Sequence, residues 1–128
     1  MKAIPAAATL LLSLLTTLAL GQGKPDRQDI EVTVVNGHAV VKEETAHTTE
    51  AHGALVWRIA QPGYAFATNG INIASGGKHK CAMHGDGRRF RCTKQGHDKG
   101  AKYKYDVRLV ETATNKNLPP LDPYIQND

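Results

Sequence analysis

Ala101-Lys102-Tyr103-Lys104-Tyr105-Asp106-Val107-Arg108-Leu109 is the longest strictly alternating run in the chain. Ala101, Tyr103, Tyr105, Val107 and Leu109 fall on one side of an extended backbone, and Lys102, Lys104, Asp106 and Arg108 on the other. That two-residue period belongs to a half-buried β-strand. Toward the N-terminus, Lys94 to Gly100 (KQGHDKG) is turn chemistry, and before it Cys81-Ala82-Met83 and Arg88 to Cys92 flank His84-Gly85-Asp86-Gly87. This reads as a hairpin, with Phe90 and Cys92 on one face and Arg89 and Arg91 on the other.

Further upstream the same grammar repeats. Leu55, Trp57 and Ile59 share a face and Pro62-Gly63 ends their strand. Tyr64 and Phe66 alternate, Asn69-Gly70 turns the chain into Ile71-Asn72-Ile73, and Ser75-Gly76-Gly77 breaks it. Ile30, Val32 and Val34 alternate with Glu31 and Thr33, then Asn36-Gly37 signals a tight hairpin into Ala39-Val40-Val41. Residues 43–52 (EETAHTTEAH) lack an apolar stripe and read as a loop or edge strand. Leu118 to Pro123 is an extended segment whose prolines bar it from the middle of a sheet. Seven or eight short strands with no helical period predict an all-β chain, a single antiparallel Greek-key β-sandwich; a small closed barrel is the alternative.

The N-terminus carries an address. Lys2 precedes an apolar run from Ala6 to Leu20, and Ala19-Leu20-Gly21 is a small-x-small cleavage site. Residues 1–21 read as a cleaved signal peptide and 22–128 as one domain, periplasmic or secreted. No later window is long and apolar enough to span a bilayer, so no transmembrane segment is expected in the mature chain. The 128 residues are 41% hydrophobic and 22% charged, which excludes collagen-like, low-complexity and wholly disordered classes. Cys81 and Cys92 are the only cysteines, and in an oxidising compartment they are expected to pair.

Trp57, Pro62-Gly63-Tyr64-Ala65-Phe66, Asn69-Gly70-Ile71, Phe90-Arg91-Cys92, Tyr103 to Val107 and Leu121 to Asn127 resemble a group of small exported bacterial proteins of unassigned function. The similarity spans most of residues 55–127. It implies an immunoglobulin-like or cupredoxin-like sandwich and no catalytic residue.

Catalytic material is sparse. Ser75 is the single serine after residue 21 and lacks a nucleophile elbow. No spacing brings Glu111 and Asp122 together as paired carboxylates, so no enzyme is expected and no cofactor. Blue copper fits poorly, because Met83 immediately precedes His84 and Cys81 is half of the expected disulfide. The six histidines, among them the pairs His47/His52 and His79/His84, match no standard zinc spacing, so no metal ligand is assigned.

Charge is the regional feature. Residues 78–104 hold nine Lys and Arg against Asp86 and Asp98, whereas the segments on either side are net negative. If the cysteine hairpin and the 101–109 strand share a sheet, Arg89, Arg91, Lys102 and Lys104 project from one face. Such a face would attract an anionic envelope component, an acidic polysaccharide or another protein. Lys and Arg also serve as plain solvated, aggregation-blocking residues on strands. Base-specific nucleic-acid binding is not expected, since Tyr103 and Tyr105 alternate away from the basic side chains. A module holding Cu(II) or Zn(II) through two or three histidines is the competing reading.

Overall fold

The computed structural model describes residues 27–51 and 53–128. The expected signal peptide, residues 1–21, and the polar segment 22–26 lie outside the described residues, as does His52. Ten strands are present: β1 (Arg27–Val35), β2 (His38–Val41), β3 (Thr45–Thr48), β4 (Ala54–Ile59), β5 (Tyr64–Ile73), β6 (His79–His84), β7 (Arg89–Lys94), β8 (Lys102–Glu111), β9 (Lys116–Asn117) and β10 (Tyr124–Asn127). They form two sheets, ordered β2-β1-β4-β7-β6 and β3-β10-β8-β5, with β9 attached to β8. The fold is all-β, sandwich-like and open, with no closed barrel and no helix among the described residues.

Asn36 and Gly37 both take positive φ, 52° and 77°. That is the backbone a two-residue hairpin turn needs to match strand twist. After β2 the chain leaves the first sheet, contributes β3 to the edge of the second, and returns to lay β4 beside β1 running the same way. β10 likewise enters parallel to β3. The sheets are therefore mixed rather than purely antiparallel, because β3 is a crossover between layers and not a hairpin arm.

The alternating patterns place the core between the layers. Leu55, Trp57, Ile59, Phe90 and Cys92 from the first sheet meet Phe66, Ile71, Tyr105, Val107, Leu109 and Ile125 from the second. Two of the ring contacts that join the layers lie in the core. Trp57 and Tyr105 lie 5.2 Å apart between ring centroids, and the Trp57 Nε1–H donates to Tyr105 Oη at 3.2 Å. Phe66 meets Phe90 edge-on at 5.5 Å. Such pairs add to the area they bury. Cys81 and Cys92 are register partners on β6 and β7 and form the expected disulfide.

Two stretches depart from the pattern their residues suggest. Asn69-Gly70 is not a turn between strands but an irregularity inside β5: pairing with β8 shifts between Phe66 and Ile71. Gly70 is required there because a Cβ would stand 2.7 Å from Phe66 Cβ. Residues 118–123 do stay out of the ladder interior, touching β8 through a bridge from Leu121 to Val107. The four residues that follow, β10, nonetheless occupy an interior position of the second sheet.

Candidate functional site: a basic sheet face

The topology separates the four residues expected to make one anion-binding face. Arg89 and Arg91 lie on β7 in the first sheet, whereas Lys102 and Lys104 lie on β8 in the second. The cysteine hairpin and the 101–109 strand do not share a sheet, so their polar sides face opposite directions. The lysines are also engaged: Lys102 Nζ sits 4.6 Å from the Tyr124 ring centroid, and Lys104 Nζ is 3.8 Å from Asp122 Oδ2. The four therefore do not form the one face expected: Arg89 and Arg91 share one sheet, Lys102 and Lys104 the other.

Around Arg89 and Arg91 the first sheet builds a larger basic surface. Register across β1, β4, β7 and β6 gives three outward rows: Glu31, Arg58, Arg89, His84; then Asp29, Val56, Arg91, Ala82; then Arg27, Ala54, Thr93, Lys80. Arg58, Lys80, Arg89 and Arg91 are exposed. Among the described residues none of these four makes an ion pair with a carboxylate. Arg58 and Arg89 are direct cross-strand partners, an arrangement of like charges that costs stability. Arg27 Nε lies 3.4 Å from Asp29 Oδ1, both groups being well exposed.

A hollow of about 170 Å³ opens on this face, lined by Arg27, Val56, His84, Arg89 and Arg91. Val56 is its apolar lining residue, only 5% exposed although it points outward. Gly85 in the β6–β7 turn leaves room for the Arg89 guanidinium: a Cβ there would stand 3.2 Å from Arg89 Nε. Sequence reasoning missed Arg27, Arg58 and Lys80 as neighbours of this site. Their alternation was visible, but the pairing of β1 with β4 and of β4 with β7 is long-range.

Arg88, Lys78 and Lys94 of the 78–104 segment have partners within the chain. Arg88 Nη2 donates to the carbonyls of Ile59 at 3.0 Å and Gln61 at 2.9 Å, and Nε donates to Ile59 at 3.2 Å, closing the end of β4. Gln61 in turn accepts from the Val34 N–H at 2.9 Å. Lys78 pairs with Asp98, which raises the lysine and holds the carboxyl below its ordinary range. Lys94 Nζ donates to the Thr49 carbonyl at 2.9 Å and to His97 Nδ1 at 2.8 Å. That contact makes Nδ1 the acceptor and leaves Nε2–H to donate to the Asp128 oxygen at 2.9 Å. Desolvation pushes Lys94 down from its usual value.

The histidines are dispersed. His79 and His84 sit five residues apart on β6 and so face opposite sides of the sheet. His79 stacks edge-on against Tyr103 at 5.4 Å, and its two enclosed ring nitrogens have no hydrogen-bond partner among the described residues. Burial, then the nearby Lys94, lowers its pKa. His47 Nδ1 lies 3.0 Å from Asp128 Oδ2. Among the described residues no three His, Cys, Asp or Glu side chains gather to hold a metal ion, and no helix is long and apolar enough to cross a membrane. No protein-family model and no curated protein matches the chain.

Proposed function

We propose that the chain is an exported, non-enzymatic β-sandwich, akin to small exported bacterial proteins of that fold, that binds an acidic polymer or anionic envelope component through the outer face of β4, β7 and β6. The observation that carries this reading is the cluster of Arg58 and Arg89, register partners, with Arg91 two residues further along β7, all exposed and none in an ion pair with a carboxylate among the described residues. Setting Arg58 opposite Arg89 costs stability, and a bound anion would convert that cost into binding energy. The disulfide favours an oxidising compartment and so fits export. The metal-binding alternative draws less support, since His79 and His84 diverge and His47 is taken up by Asp128.

The test is salt elution from immobilised heparin. Arg89→Ala with Arg91→Ala should elute at markedly lower salt than the parent protein, because fewer counterions are exchanged. Lys102→Ala with Lys104→Ala should elute close to the parent. Equal retention of parent and the arginine double variant refutes the assignment.

A further inference from the structure

We infer that the hollow over Val56 seats one tetrahedral oxyanion ester, a sulfate or phosphate monoester carried on an acidic polysaccharide, with Arg27, Arg89, Arg91 and His84 as its donors. This rests on the anion-binding reading above and adds the chemical class of the ligand and the direction in which its chain leaves. The hollow measures about 170 Å³, room for one such group and a few waters at roughly 30 Å³ each.

Donor count and direction of approach both favour such a group. The four side chains come from three strands: Arg27 from β1, Arg89 and Arg91 from β7, His84 from β6. They reach Val56 from different sides. A planar carboxylate offers two oxygens, and one guanidinium fork saturates both. Three guanidiniums and an imidazole carry far more donors than that. A sulfate ester or phosphate monoester presents three terminal oxygens in a tetrahedral arrangement, which donors converging from several sides can share.

Asp29 sets the exit. It is the register neighbour of Val56 on β1 and lies beside Arg27. On this face β1 carries Asp29 and Glu31 against Arg27, whereas β7 and β6 carry Arg89, Arg91 and Lys80, so an anionic chain leaves over β7 and β6. β6 is the edge of the sheet, and Lys80 stands there to meet the next charge. The outward rows of these strands carry no Phe, Tyr or Trp, so the face offers no stacking platform for nucleobases.

The experiment compares the affinity of the purified protein for dextran sulfate and for polygalacturonate, matched in length and charge density at one ionic strength. The expected result is a preference of about tenfold for the sulfated polymer, on the scale of one charge-assisted hydrogen bond. Arg91→Lys keeps the charge and loses the fork, so it should bind both polymers and show a preference of less than about twofold. Val56→Phe fills the hollow from the outer face and should do the same; circular dichroism checks its fold, and Arg91→Lys decides the matter if that variant does not fold. Equal affinity of the parent for the two polymers overturns the inference while leaving anion binding intact. No retention on either polymer overturns both. Capture by phosphatidylglycerol vesicles without affinity for dextran sulfate overturns the polysaccharide source.

Discussion

Replacing Tyr105 by Phe removes one oxygen atom from the middle of the sandwich. Trp57 is 0% and Tyr105 1% exposed, and the indole N–H donates to that oxygen at 3.2 Å. In Tyr105→Phe the Trp57 N–H is left in a dry core with nothing to accept it. An orphaned buried donor costs about 1 to 3 kcal/mol. For a domain of this size each kcal/mol moves the melting temperature by about 4–8 °C, so a fall of at least about 4 °C is expected at pH 7. The same burial adds a second signature. It pushes the Tyr105 hydroxyl up from 10.0 to about 12, against a smaller lowering by the Trp57 hydrogen bond. A folded-state pKa raised above the unfolded value means stability that is whole below pH 10 and lost as pH climbs toward 12. Two pH units at about 1.4 kcal/mol each bound the loss at about 3 kcal/mol. The variant has no such group, so the stability gap between it and the parent should narrow above pH 10 and close near pH 12. Urea unfolding followed by the fluorescence of the sole tryptophan, Trp57, at pH 7, 9, 10.5 and 11.5 measures this gap directly. A gap that stays constant across that range, or a cost under about 0.5 kcal/mol at pH 7, refutes the role assigned to the Trp57–Tyr105 hydrogen bond.

Three further outcomes are expected. Cys81→Ser opens a short loop whose closure contributes about 3 kcal/mol on the chain-entropy account, so melting should fall by about 10 °C or more; a drop below about 2 °C would mean the bridge adds little. His79 has a lowered pKa through burial and Lys94, so its contribution is whole above the unfolded value of 6.5 and declines as pH falls below it. Melting temperature should drop with acid in the parent, and His79→Phe should flatten that dependence; identical acid profiles would remove His79 from the explanation. Arg88→Ala strips three charge-assisted hydrogen bonds from the Ile59 and Gln61 carbonyls, at a cost of about 2 kcal/mol. If Arg88→Ala weakened heparin retention as much as Arg89→Ala with Arg91→Ala, the division between structural and ligand-facing arginines would fail.

Strands were legible where alternation ran long enough to name a face. β8, β4, β7 and the β1–β2 hairpin all sit where Tyr105, Trp57, Phe90 and Asn36-Gly37 place them, because burial of alternate residues and positive φ are local demands. The sequence does not announce β10, because its four residues follow Pro123 and contain one buried apolar side chain, Ile125. Its place in the sheet is fixed by distant partners: Asn127 is 2% exposed, accepts from Thr48 Oγ1 at 2.8 Å and donates to the Asp98 carbonyl at 3.0 Å. The candidate site was half legible for the same reason. Periodicity tells which side of a strand Arg91 or Lys104 occupies, but it says nothing about which sheet that strand joins. Sheet membership decides whether two basic strands add their fields or turn them away from each other. Arg27, Arg58 and Lys80 enter the site only through pairings among β1, β4, β7 and β6, and no spacing rule announces those.

The position of β10 also makes it the link that holds an edge strand in the second sheet. Among the described residues β3 has no strand neighbour except β10, and Thr48 and Asn127 are 79 residues apart in sequence. Bringing such distant segments together carries a loop-closure entropy that the pairing must offset. Thr45 to Thr48 therefore joins the second sheet only through residues 124–127, which bridge it to β8. Whenever residues 124–127 are out of place, the backbone of β3 and the flank of β8 are open to pairing with another chain.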